Sequence, residues 1–161
     1  MKISIIVYDR FNLASFASAY EFFHSLEGAS VQVCAFKPDI MDEHGIHVLP
    51  SISAESLYGC DVLVVPSGVG ALSLRHDDIF LSWLRSSSSA RVKLGLDLGV
   101  LLFGGAGFLK GKSAVIRGGY KNALSEYCDV ASETTFISSD DIISAVGFSA
   151  GLRELIISRL G

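Results

Sequence analysis

The residues of this 161-residue chain best suited to chemistry lie in the run Arg91-Val92-Lys93-Leu94-Gly95-Leu96-Asp97-Leu98-Gly99-Val100-Leu101-Leu102-Phe103, which reads as a strand, a sharp turn and a helix. At its centre, Gly95-Leu96-Asp97-Leu98-Gly99 has the spacing of a nucleophile elbow. Small residues on both sides let such a chain turn tightly enough to lift the middle side chain above a sheet. Asp97 occupies the nucleophile's place. An elbow residue often takes a left-handed backbone conformation, which Asp tolerates better than most side chains, and the helix that follows favours a negative charge at its N-terminus. The other reading makes Asp97 only the cap of a helix beginning near Leu98, because Asp is a preferred N-cap residue.

A second segment, Val62-Leu63-Val64-Val65-Pro66-Ser67-Gly68-Val69-Gly70, is a buried strand entering a glycine-bearing loop. Its N–H groups around Gly68 and Val69 could face the elbow and form an anion nest. Arg117 follows a strand candidate and precedes Gly118-Gly119. Facing Asp97, it would neutralise the elbow or clamp a substrate carboxylate with its planar fork; otherwise it is a surface arginine beside a flexible loop.

Other reactive side chains offer less. Cys34, Cys60 and Cys128 have no C-x-x-C spacing. Cys34 and Cys60 read as small buried hydrophobes in or beside strands, and acidic Glu126 and Asp129 oppose thiolate formation at Cys128. His24 and His76 suit surface positions. His44 and His47 share a hairpin segment with Asp42 and Glu43, but without metal-ligand spacing, so a solvated strand is expected. No metal and no cofactor is expected.

The elements that must position these groups are visible as apolar runs: Ile3 to Val7, Val31 to Phe36, Val62 to Val65, Val92 to Leu96 and Ile142 to Val146. Runs that do not alternate suggest strands covered on both faces. Helical spacing lies between them, in Phe16, Ala19, Tyr20 and Phe23, in Phe80, Trp83 and Leu84 after Asp77-Asp78, and in Leu152, Leu155 and Ile156. This alternation predicts an α/β three-layer sandwich with a mainly parallel, flavodoxin-like central sheet, in which ligands gather at the carboxyl ends of strands. Ile46 to Pro50 and Ser113 to Ile116 are weaker strand candidates, expected at an edge or in a hairpin, and Ser86 to Ser89 reads as a frayed helix end. Nothing divides residues 1–161 into more than one domain.

Half the residues are hydrophobic, and 13 basic against 17 acidic side chains give a net charge of -4. That is the profile of a well-buried globular domain, with no Lys/Arg stripe for direct nucleic-acid binding. The apolar N-terminus is too short for an export signal, and Leu94 to Leu109 carries Asp97 and five glycines, short of the ~18 apolar residues of a spanning helix. A soluble cytoplasmic protein without membrane association is expected.

Three blocks are similar to motifs of the ThiJ/PfpI superfamily, which has the class I glutamine amidotransferase-like fold. Asp61 to Gly70 resembles D-V-L-x-x-P-G-G-x-G, Gly95 to Gly111 resembles V-C-T-G…A-A-G-L-L-x-G, and Asp140 to Gly151 resembles D-G-x-I-I-T-S-A-G-x-S-A-G. Tyr20-Glu21-Phe22-Phe23 resembles the early P-x-E-V-F helix. Within the superfamily the pattern is nearest to isonitrile hydratases and to the sensor domains of AraC-type regulators. The resemblance places the family's nucleophilic cysteine on Asp97, the following threonine on Leu98, the acidic partner on Ser15, a frequent histidine on Arg117 and the first oxyanion-loop glycine on Ser67.

The resemblance therefore implies a scaffold that has lost its thiol chemistry. The expected function is a small-molecule-binding sensor or pseudoenzyme domain, with Ser15, Ser67, Gly68, Val69, Asp97, Leu98 and Arg117 at the ligand. A sensor role would need a DNA-binding segment beyond Gly161 or a separate partner. The alternative is an isonitrile-hydratase-like hydratase or hydrolase with Asp97 as base or nucleophile. A third reading takes Asp97 as a fixed likeness of an oxidised cysteine in a non-catalytic stress-protection or interaction protein. A homodimer is expected from the family.

Overall fold

The computed structural model describes all residues from Met1 to Gly161. Its strands are β1 (Lys2–Ile6), β2 (Ser30–Ala35), β3 (Ile40–Met41), β4 (His47–Val48), β5 (Ile52–Ser53), β6 (Val62–Val65), β7 (Val92–Leu96), β8 (Ser113–Ala114), β9 (Asp129–Val130), β10 (Phe136–Ser139) and β11 (Ile142–Ala145). Its helices are α1 (Leu13–His24), α2 (Ala71–Leu74), α3 (Asp78–Arg85), α4 (Val100–Ala106), α5 (Lys121–Ser125) and α6 (Ala150–Leu160). The central sheet has the order β10-β11-β7-β6-β1-β2-β5. Every pairing in it is parallel except β10 with β11. No helix is long and apolar enough to cross a membrane.

The period of two along each strand explains why the runs are continuously apolar. Ile3, Ile5, Val62, Val64, Leu94, Leu96, Ile143 and Ala145 face one layer, where Ala19, Phe22 and Phe23 of α1 meet Leu152 and Ile156 of α6. The intervening Ile6, Leu63, Val65 and Ile142 face the other, built from α3, α4 and Leu124 of α5. Both faces are covered, so neither alternate set is polar. Asn12 caps α1 by accepting from Ser15 N–H, Asp77 caps α3 through Ile79 and Phe80 N–H, and Ser149 caps α6 through Leu152 N–H.

Several local expectations need correction. Ser113 to Ile116 supplies β8, an edge strand as expected, in a separate two-stranded sheet and not in a hairpin. It pairs in parallel with β9, and its successors Val115 and Ile116 are buried. Ser86 to Ser89 is not frayed, because the Ser86 and Ser87 hydroxyls donate back to the carbonyls of Trp83 and Leu84, and Ser87 is buried. The Asp42–Glu43 segment is a hairpin, β3 against β4, whose His44 and His47 are exposed as expected, while Asp42 and Glu43 turn inward. Asp42 is buried, and its Oδ1 accepts from His44 and Ile46 N–H across the turn.

Candidate functional site

The parallel order reverses direction at β1, whose neighbours β2 and β6 lie on opposite sides, and a crevice at the carboxyl ends of strands is expected beside such a switch point. Here α1 begins after β1, Ser67 follows β6 and Asp97 follows β7. These groups meet in a cavity of about 240 Å³ whose wall includes Ser15, Ser67, Asp97 and Arg117.

The elbow forms because its glycines permit close approach. A Cβ on Gly95 would lie 2.8 Å from the Phe103 ring, and one on Gly99 would lie 2.4 Å from the Pro66 carbonyl oxygen and 2.5 Å from that of Val65. Gly95 therefore lets α4 pack on β7, and Gly99 lets the same turn lie against the end of β6. Between them Asp97 has φ of 49°, in the left-handed region. The turn from Asp97 to Gly99 is a 3-10 turn with no side-chain cap, so Asp97 does not serve as a helix cap.

Its carboxylate turns instead to Arg117. Asp97 Oδ1 accepts from Arg117 N–H at 3.1 Å, and Oδ2 accepts from Arg117 Nε at 2.6 Å. Asp97 is buried, whereas the arginine side chain is 51% exposed. The Arg117 guanidinium also lies over the Tyr120 ring, which fixes its plane. Its two Nη groups donate to no protein acceptor.

The expected anion nest is corrected by its neighbours. Leu98 N–H donates to Ser67 Oγ at 3.2 Å, and Ser67 N–H donates to Ser15 Oγ at 2.9 Å. Val69 N–H donates to Glu43 Oε2 at 2.9 Å. Gly68 sits against Phe11, where a Cβ would come within 2.5 Å of backbone. Thus Ser15, Ser67, Asp97 and Arg117 line the cavity, while Gly68, Val69 and Leu98 lie behind it. Ser67, which the resemblance places on a glycine, occupies the Leu98 amide with its hydroxyl.

Two supporting residues escaped the sequence reading. Glu43 reaches from the hairpin to accept from Asn12 Nδ2 at 2.8 Å as well as from Val69 N–H, clamping the start of α1 to the loop after β6. Tyr8 is buried and donates from its hydroxyl to the Pro66 carbonyl at 2.6 Å. Burial first, then the nearby charges of Glu43 and Asp97, push its hydroxyl well above the ordinary tyrosine value, so it stays protonated. Position just after the first strand was the only signal for Tyr8; Glu43 had none, because its partners are distant in sequence.

The cysteines stand apart from this cavity. Burial raises the thiols of Cys34 and Cys60, and at Cys128 burial acts first and Asp129 second. Glu126, expected to act on Cys128, instead pairs with Arg75. No three His, Cys, Asp or Glu side chains converge as a cation would need.

The fold matches solved structures. A ThiJ/PfpI family protein from Pseudomonas syringae superposes with a TM-score of 0.86, at 23% identity, over 98% of this chain and 67% of its own. The chain has the ThiJ/PfpI fold. On the same ThiJ/PfpI frame, a protein from Vibrio parahaemolyticus described as a candidate transcriptional regulator gives a TM-score of 0.81 at 17% identity, covering 98% of this chain and 91% of that one. In sequence, the chain is 24% identical over 156 residues to an isonitrile hydratase of Pseudomonas putida, spanning 94% of this chain and 68% of that protein. No family model matches the sequence.

Proposed function

We propose that this chain is a non-catalytic small-molecule-binding domain, a sensor or pseudoenzyme, which keeps the ThiJ/PfpI scaffold and carries an ion pair where the fold can carry a nucleophile. The observation that supports this most is the double engagement of Asp97: one oxygen takes the Arg117 amide and the other its Nε. To act as base or nucleophile a carboxylate bound on both oxygens must give up a charge-assisted hydrogen bond. Ser15 and Ser67 add hydroxyls already committed as acceptors. The cavity remains open beside a neutralised elbow, which suits holding a ligand.

The test is a turnover screen with isonitriles, amides and reactive carbonyls on the parent protein and on Asp97→Asn, alongside a binding measurement. No turnover by either protein, with binding at the cavity, is the expected outcome. Turnover by the parent that disappears in Asp97→Asn would establish the second reading, an isonitrile-hydratase-like activity with Asp97 as base. The similarity to the Pseudomonas putida enzyme supports that reading, and the locked carboxylate weighs against it.

A further inference from the structure

The cavity beside Asp97 has a one-sided hydrogen-bond inventory. Ser15 Oγ and Ser67 Oγ each accept one backbone N–H, and neither hydroxyl donates to a protein acceptor. Ser67 is 95% buried, with 5% exposure, so its proton has little access to bulk water. Arg117 commits only Nε, leaving both Nη groups free on the cavity wall. The start of α1 adds the positive end of a 12-residue helix.

Acceptors are scarce by comparison. Asp97 is the sole acidic side chain on the wall, and each of its oxygens already accepts from Arg117. Glu43 faces away, with both oxygens given to Asn12 and Val69. The Ser18 hydroxyl is turned to the Ala14 carbonyl. Four unspent donor groups, the two hydroxyls and the two Nη groups, against one carboxylate already engaged on both oxygens favour a ligand that brings acceptors.

The wall also has apolar side chains, Leu96, Val146 and Phe148. Phe148 is held in place by the Phe22 ring at 5.4 Å and by the Arg153 guanidinium at 5.1 Å. The volume, about 240 Å³, is below the ~300–1,000 Å³ of sites for drug-sized ligands, so only a compact molecule fits.

We infer that the ligand is a small monocarboxylate, its two oxygens on the Arg117 Nη pair and the Ser15 and Ser67 hydroxyls, its short hydrocarbon end against Phe148. The planar Arg fork matches a planar carboxylate. An amine would set its charge beside the Arg117 guanidinium and leave the four donor groups unmatched, and a primary amide would turn its NH2 group toward Arg117 or the hydroxyls. A phosphate would set more negative charge beside Asp97. This inference rests on the reading of the cavity as a binding site, and names what it takes.

The test titrates the protein at pH 7 with butyrate, butyramide and inorganic phosphate, followed by calorimetry and by the 15N signals of the Arg117 guanidinium. Butyrate should bind at least about tenfold more tightly than butyramide or phosphate and shift the Arg117 signals, and Arg117→Lys, which keeps the charge but loses the fork, should weaken it about tenfold. Butyramide or phosphate binding as tightly as butyrate would overturn the carboxylate assignment and leave the cavity a binding site. Failure of all three to bind would overturn both. Should Arg117→Lys fold poorly, the ratio of the three affinities and the 15N shifts in the unaltered protein decide the matter alone.

Discussion

The two ends of β7 each carry a buried charge, and they use it differently. Near the amino end, Lys93 is 2% exposed, and its ammonium donates to the Ser88 carbonyl at 3.0 Å, the Ala90 carbonyl at 3.1 Å and Asp141 Oδ2 at 2.6 Å. Three donors meet three acceptors, with the Phe108 ring over the charge and Lys112 sharing Asp141. Just past the carboxyl end, Asp97 is equally shut in, but its partner Arg117 is half in solvent with two nitrogen groups uncommitted. A closed network can only hold the fold together, whereas an open one has hydrogen bonds left to offer. The difference matches the rule that parallel sheets place ligands at the carboxyl ends of their strands.

Breaking the closed end should cost the most. Asp141→Asn leaves a buried ammonium facing a neutral amide, and a loss of about 3 kcal/mol is expected in urea unfolding, since removing one partner of a buried pair typically costs ~3–5 kcal/mol. Arg117→Gln at the open end should cost less, about 1–2 kcal/mol, because Asp97 keeps the residue-117 amide and water can reach the vacated side. Equal losses at the two ends would contradict the distinction between them.

Acid provides a finer probe of the closed end. Burial is the largest influence on Asp141 and pushes its carboxyl up, but hydrogen bonds from Lys112 and Lys93, with their charges, together hold it below the ordinary value. The folded value is thus depressed, so its stabilising contribution is complete above the unfolded value of ~3.9 and fades as pH falls through the lower folded value. The urea midpoint of the parent should drop on acidification below about pH 4, and that part of the slope should shrink in Asp141→Asn. The smallest effect is expected for Asp97→Asn, within about 1 kcal/mol in the same unfolding experiment, because Asn also tolerates left-handed backbone and can still accept from the Arg117 amide.

Much of this contrast was legible in the chain, and some of it was not. The elbow could be read at Gly95-Leu96-Asp97-Leu98-Gly99 because the constraint is local: a tight turn flanked by close packing admits few residues at positions 95 and 99. The covered strands could be read for a similar reason, since burial on both faces leaves an unbroken apolar run such as Val62 to Val65. Lys93 breaks that logic. In sequence it is a charge inside a strand, and its one charged hydrogen-bond partner, Asp141, lies 48 positions away. Glu43 was read as solvated for want of the same information, because Asn12 and Val69 lie 31 and 26 positions from it. The nest at Gly68 and Val69 was read without the partner of one of its amides, because Glu43 takes the Val69 N–H from 26 positions away.

The sequence by itself determined the alternation of the main strands and helices, the elbow and the residue at its crest, because backbone geometry and the burial of neighbouring side chains restrict residue type within a few positions. Only the tertiary structure decided which donors and acceptors are spent. Hydrogen bonds between Asp97 and Arg117, Ser67 and Ser15, or Glu43 and Asn12 join segments far apart in the chain. A polar side chain looks the same in the sequence whether its bonds are closed within the fold or left for a ligand.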